Sequence, residues 1–262
     1  MLLARRARLL DQLRDELRAR QPRLRVLALP VDLSDENDID RVLTEVDDQV
    51  GPVDVLVNNA GVGDQALFDR TDWKRTRQLL HTNVVAVVHL TTALVPGMVA
   101  RGRGGVLNIG SGAGLTVMPA AAAYSASKHF IDGFSDSLRA DLAGTGVVVT
   151  QVCPGPVDSE FDQTAGTVGG MTGGPPQFLR ISATQCAGEA LAGFDRGAAM
   201  VFPGRTYRVA MRVLPLVPRA LLRRQAARSA ARVRNAQPPG PTTPATGSHS
   251  ADTEAPQGEA PT

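Results

Sequence analysis

Short apolar runs alternate with longer stretches of helical periodicity. Within Arg5 to Arg20, Leu9, Leu10, Leu13 and Leu17 recur close to i, i+3, i+4, i+7, which predicts an amphipathic helix. Arg25 to Leu29 is an apolar run before Pro30 and predicts a strand. Asp35 or Asn37 can cap a helix over Ile39 to Gln49. Val53 to Val57 reads as a buried strand ending in the turn-rich Asn58-Asn59-Ala60-Gly61. A long helix is expected from about Asp72 to Val99, broken near Pro96. Further strands are expected at Gly105 to Ile109, Val147 to Val152 and Ala199 to Phe202, with helices at Tyr124 to Leu142 and Thr184 to Phe194. Near-continuous apolar strands alternating with helices predict an α/β fold, a doubly wound parallel sheet covered on both faces.

Composition narrows the functions. The chain has 262 residues, 43% hydrophobic and 21% charged, enough to bury a sizeable core. Its 28 basic and 26 acidic residues give a net charge of +2, against a globally basic nucleic-acid binder. Two cysteines, Cys153 and Cys186, exclude a disulfide scaffold and a cysteine-rich metal site, and no metal ligand set is expected. Cys153 reads better as a buried strand residue than as a nucleophile. No uninterrupted apolar run approaches the length of about 18 that a membrane span needs. The Arg-rich start carries Asp11, Asp15 and Glu16 and matches neither a secretory nor a transit signal, so a cytoplasmic protein is expected.

Only two lysines occur, Lys74 and Lys128, and two tyrosines, Tyr124 and Tyr207. Tyr124 and Lys128 stand at i and i+4, so a helix puts them on one face. A phenol is a poor acid–base group near neutrality, and a neighbouring ammonium favours its ionised form. The other reading is a surface tyrosine beside a solvated lysine. Ser111 follows the Gly105 to Ile109 strand, at the carboxyl end where open parallel sheets bind ligands. It can hydrogen-bond a reacting oxygen, or serve as a turn serine among Gly110, Gly112 and Gly114. Asn58 to Gly61 also follows a strand, and its small residues allow close approach of backbone to a ligand.

Taken together, these residues resemble the short-chain dehydrogenase/reductase family. The matches run in order: Val31-Asp32-Leu33, Asn58 to Gly61, Asn83 in His-Thr-Asn-Val, Ser111, Tyr124 to Lys128, and Pro154-Gly155-Pro156-Val157-Asp158-Ser159. The resemblance covers about residues 2 to 204 and implies a Rossmann-like fold. It implies that Tyr124 is the acid–base group, that Ser111 holds the substrate oxygen, that Lys128 binds the nicotinamide ribose, and that Asn83 keeps a water in the proton relay. It places Asp32 and Leu33 at the adenine, the Asn59, Ala60 and Gly61 backbone along the adenosine, and Pro154, Gly155, Val157 and Ser159 at the nicotinamide amide. Ser159 stands where the family usually has threonine. Leu2 to Arg6 resembles the end of the family's second strand, where a basic Arg5 favours NADP(H) over NAD(H). A solvated arginine at a helix start is the alternative. Homo-oligomers are expected by family analogy alone.

The family's first strand, glycine-rich turn and first helix have no counterpart before Leu2, and no G-x-G-x-x-G is well placed. The expectation is a sheet lacking that strand and helix, whether from a start codon assigned too late or from a real truncation. The expected activity is hydride transfer between NADP(H) and a carbonyl or secondary alcohol of a small, mostly apolar substrate. The alternative is a non-catalytic fragment that binds or regulates full-length relatives. Glu160 to Arg180, with Phe161, Met171, Phe178 and Leu179 among glycines, is expected to cover the substrate; steroid-like, aromatic and fatty-acyl compounds all remain open. Three segments are expected: a family domain over 1–204, a basic helical extension over 205–235, and a disordered tail over 236–262. Arg205 to Arg234 holds nine arginines and no acid, interleaved with Val209, Leu214, Leu216, Val217, Leu221 and Leu222. It fits either peripheral contact with an anionic membrane or packing on a neighbouring subunit; Pro215 and Pro218 interrupt any long helix.

Overall fold

The computed structural model describes residues 1–161 and 177–236. The glycine-rich stretch Gly166 to Pro176, Met171 and nearly all of the expected tail lie outside them. At the centre is a four-stranded parallel sheet of β3 (Val55–Asn58), β4 (Gly104–Ile109), β5 (Val147–Val152) and β8 (Met200–Val201), in the order β3-β4-β5-β8. Strands β4 and β5 are buried on both faces, which is why they read as continuous apolar runs. Val106 and Val149 are register partners facing Val95 and Met98 of α4 (Ala86–Ala100), with Leu138 of α5 (Ala122–Asp141) packed alongside. Leu107 and Val152 face the other way, onto Ala190 and Phe194 of α6 (Ala183–Asp195). Helices therefore cover both faces, the doubly wound arrangement that the alternation predicts.

A separate parallel pair, β1 (Leu2–Ala4) with β2 (Ala28–Pro30), stands beside this sheet. Helix α1 (Ala7–Arg20) connects the pair. Helix α2 (Glu36–Gln49), capped by the Asp35 carboxylate accepting from Asn37 N–H, joins pair and sheet in one core: Val42 and Val46 pack with Leu3, Val53 and Leu94. Among the described residues β3 pairs only with β4, and Val55 and Val57 are 47% and 49% exposed.

Two expectations are corrected. The strand expected over Arg25 to Leu29 is β2, Ala28–Pro30, because these are the residues in register with β1, from Leu2 opposite Ala28 to Ala4 opposite Pro30. Pro30 can end a strand because a terminal position needs no N–H for the ladder. The long helix is not broken at Pro96; it runs on to Ala100. Its irregularity lies at a π-helical turn, His81–Val85, between α3 (Trp73–Leu80) and α4. The whole helix, Trp73–Ala100, is by length and composition long enough and apolar enough to cross a membrane. Here its buried row from Leu90 through Val95 to Met98 lies against the sheet and α2.

A polar ladder crosses this apolar interior. Asn58 and Asn108 are register partners, and Asn58 Nδ2 donates to Asn108 Oδ1 at 2.9 Å and to Thr91 Oγ1 at 3.3 Å. Asn108 Nδ2 donates to Ser135 Oγ at 2.9 Å, whose hydroxyl donates to Ile131 O. The ladder fixes β3 and β4 against α4 and α5, so the carboxyl ends of both strands are set relative to Tyr124 and Lys128. Asn108→Ala leaves the Asn58 amide and the Ser135 hydroxyl buried without this partner. It should cost about 2 kcal/mol in urea denaturation; a loss under about 0.5 kcal/mol would contradict this role for the ladder.

Candidate active site

Helix α5 carries Tyr124 and Lys128 on one face, with Lys128 Nζ 6.0 Å from the centroid of the Tyr124 ring. Lys128 is almost fully buried, and its ammonium donates to Ile109 O at 2.7 Å, at the end of β4. Burial pushes its pKa down from 10.5 to about 8. That one carbonyl leaves further N–H donors on the ammonium. The Tyr124 ring, half-buried, meets Phe161 at 5.7 Å between centroids.

Asn83 sits in the π-helical turn, 1% exposed. Its Oδ1 accepts from Val62 N–H at 2.8 Å, and its Nδ2 donates to Val62 O at 2.9 Å and Ser127 Oγ at 3.1 Å. Those bonds tie the loop after β3 to α5. Gly61 is the meeting point: a Cβ there would stand 3.6 Å from Asn83 Oδ1 and 3.7 Å from Lys128 Nζ. The bare backbone at Gly61 thus opens directly onto both groups.

Ser111 caps a short turn, Gly112–Gly114, its Oγ accepting from Ala113 N–H at 3.1 Å, so its hydroxyl proton is left to donate. The turn is held on α5 by Ser125 Oγ donating to Ala113 O at 2.7 Å. Its glycines permit this packing. A Cβ on Gly114 would stand 2.6 Å from the Lys128 carbonyl, and one on Gly112 would overlap the Tyr207 hydroxyl. Tyr207, at the start of α7 (Arg205–Val213), is a site neighbour that sequence reasoning missed. It lies against Gly112 and Gly155, and its hydroxyl donates to Pro154 O at 3.4 Å, which also accepts from Gly112 N–H. Burial pushes its pKa up, so it stays a neutral packing residue. Cys153 is fully buried and its thiol is pushed up to about 12, chiefly by burial, as an inert strand-end residue should be.

The remaining predicted residues line two edges of the same end of the fold. Val157 pairs with Ile181 in a small parallel ladder, β6 (Val157–Asp158) with β7 (Ile181–Ser182), which no periodicity announced. Ser159 is exposed just beyond it. On the opposite edge Arg5 is exposed at the end of β1, and Asp32 is half-buried, its Oδ1 accepting from Ser34 N–H and Oγ at 2.9 and 2.7 Å. Leu33 packs into the core beside Val42 and Ile39 instead of lining the edge with its side chain. Arg6 Nη1 donates to Glu160 Oε2 at 2.9 Å, so the residues next to Arg5 and next to Ser159 touch across the cleft. Asn59 and Ala60 are exposed at the end of β3 between these edges.

These residues fit the ribose and nicotinamide end of a dinucleotide: a buried cation with N–H donors to spare, a bare glycine beside it, and hydroxyls at a strand end. The diphosphate end is different. The first fifty residues contain no glycine, so no glycine turn follows β1; the side chains at the start of α1 are those of Arg5 and Arg6.

The sequence profile of the family described as short chain dehydrogenase matches residues 1–167. An uncharacterized oxidoreductase of Myxococcus xanthus is 40% identical over 155 residues, 59% of this chain and 60% of the relative. Sulfoacetaldehyde reductase of Chromohalobacter salexigens is 37% identical over 166 residues, 62% of this chain and 63% of the relative. The chain thus spans less than two thirds of the length of these relatives. Among solved structures, a short-chain dehydrogenase from Sphingobium yanoikuyae in complex with NADPH superposes with a TM-score of 0.72 at 27% identity, covering 87% of this chain and 84% of that one.

The depressed Lys128 pKa links stability to pH. Between about 8 and 10.5 the unfolded chain holds a proton that the folded chain has released, so stability rises with pH across that window. Compared with Lys128→Met, the wild type should gain about 1 kcal/mol between pH 7 and pH 9 in urea denaturation. A flat or falling difference would contradict the burial of a charged Lys128.

Proposed function

The chain belongs to the short-chain dehydrogenase family, and on that premise we propose that it is an NADP(H)-dependent oxidoreductase acting on the carbonyl or secondary alcohol of a small, mostly apolar substrate. The observation that carries this reading is the convergence of Lys128, Asn83 and Gly61 beside Tyr124. The nicotinamide, when bound, supplies or accepts the hydride.

The chain's own residues handle the proton and the oxygen. Tyr124 gives its hydroxyl proton to the carbonyl oxygen in reduction and takes it back in oxidation. Ser111 donates its free hydroxyl proton to the same oxygen and stabilises the charge that develops there. The Lys128 ammonium favours the phenolate of Tyr124 as the proton leaves and offers its remaining donors to ribose hydroxyls. Asn83 keeps one acceptor lone pair for a water, because its Oδ1 accepts a single bond, from Val62 N–H. Its larger contribution is to lock the Gly61 loop against α5.

Support for NADP(H) over NAD(H) comes from Arg5, exposed at the end of β1 without an ion pair among the described residues, where a guanidinium can meet a 2′-phosphate. The Sphingobium protein is held with NADPH. Support for an apolar substrate comes from Phe161 against Tyr124 and from Phe178, 70% exposed near the same edge.

The test is titration of NADPH and NADH by nicotinamide fluorescence, with NADPH oxidation on a panel of apolar ketones, for wild type and Tyr124→Phe. NADPH should bind more tightly than NADH to both proteins. Turnover should fall about a thousandfold in the variant with NADPH affinity retained. Full activity in Tyr124→Phe would sink the mechanism. If the wild type binds neither nucleotide, the non-catalytic reading replaces this one.

A further inference from the structure

The last described helices carry a surface that the catalytic proposal does not use. Helix α7 is docked through Tyr207, and helix α8 (Arg219–Ala236) through Ala226 and Val233, which packs on Leu67 and Ala120. A 3₁₀ turn, Leu214–Leu216, and Pro218 join them. The prolines thus divide the stretch into two helices, each keeping an outward face of its own.

On α7 the positions opposite Tyr207 are Arg205, Val209, Arg212 and Val213, continued by Leu216 in the turn, a spacing of i, i+4, i+7, i+8 and i+11 that one helical face shares. On α8 the positions opposite Ala226 and Val233 are Leu221, Arg224, Arg228 and Arg232. The aliphatic members are open to solvent: Val209 63%, Val213 51%, Leu216 80% and Leu221 56% exposed. The charge is one-sided. From Arg205 to Ala236 there are nine arginines and no acid, and among the described residues only Arg208 and Arg234 reach acids elsewhere, Glu189 and Asp69.

This arrangement is unfavourable in water. Arg224, Arg228 and Arg232 repel one another at i, i+4 spacing, and Arg219 opens a helix whose dipole disfavours a cation at that end. Exposed aliphatic tips gain nothing from solvent either. An anionic surface with an apolar interior relieves all three. We propose that α7 and α8 form a docking surface for an anionic lipid membrane, with Val209, Val213, Leu216 and Leu221 entering the headgroup boundary and the arginines meeting lipid phosphates. A nucleic acid fits less well: it offers nothing to the aliphatic tips, and Tyr207, the one aromatic residue from Arg205 to Ala236, is buried and cannot stack on a base.

The test is co-sedimentation of the full chain with vesicles of phosphatidylcholine, with and without phosphatidylglycerol, and a parallel titration with a DNA duplex. Binding should require phosphatidylglycerol and weaken with salt. The triple variant Arg224→Gln, Arg228→Gln, Arg232→Gln should lower the partition coefficient roughly a hundredfold. Leu216→Ser with Val209→Ser, both highly exposed, should lower it about tenfold or more at unchanged charge, with circular dichroism checking that each variant is folded. Failure to bind phosphatidylglycerol vesicles would overturn the proposal. So would binding that the serine variant leaves unchanged, or a DNA affinity that matches the vesicle affinity and ignores the aliphatic substitutions; either result would assign the arginines to a general polyanion contact.

Discussion

A buried ammonium is costly unless its surroundings hold it in place, and Lys128 is the constraint around which this end of the fold is arranged. One carbonyl, that of Ile109 at the end of β4, accepts from it directly. Desolvation lowers its pKa to about 8, near neutrality, so a modest change nearby alters its charge. A cation kept in that state beside a phenol suits proton transfer, and the same burial removes water that would screen it.

Holding Lys128 there requires three elements to meet closely. The turn after β4 lies on the backbone of α5 because Gly114 has no side chain. The loop after β3 brings Gly61 next to the ammonium, and Asn83 fastens that loop through Val62 and Ser127. Behind them the Asn58–Asn108–Ser135 ladder fixes the strand ends in depth. Its polar atoms tolerate burial because they satisfy one another. Tyr207 closes the remaining side against Gly112 and Gly155, so the C-terminal helices are tied to the site as well as to the periphery.

What the sequence made legible was mainly local. The Tyr124–Lys128 spacing is a property of one helix, and the strands β4 and β5 are plain apolar runs, so both could be read directly. Ser111, just beyond the end of β4, was readable for the same reason. Features set by distant partners were not. Asn108 and Ser135 look like interruptions of an apolar pattern until the register places them side by side. The π-helical turn at Asn83 is invisible to a periodicity averaged over a long helix, and Pro96 drew attention to the wrong place. The glycines around Ser111 read as an ordinary turn, whereas those at 112 and 114 serve close packing against Tyr207 and α5. Strand β2 was misplaced because its limits depend on β1, and β6 with β7 is too short to carry a pattern.

The account rests on Lys128 being buried, near neutrality in pKa, and open to a nucleotide ribose. Titration of its side-chain ammonium by heteronuclear NMR, alone and with NADP⁺, measures all three together. The predicted midpoint is about 8 in the free protein, with a displacement of both midpoint and chemical shift when NADP⁺ is added. A midpoint near 10.5 that does not respond to the nucleotide would show a solvated lysine and contradict the account.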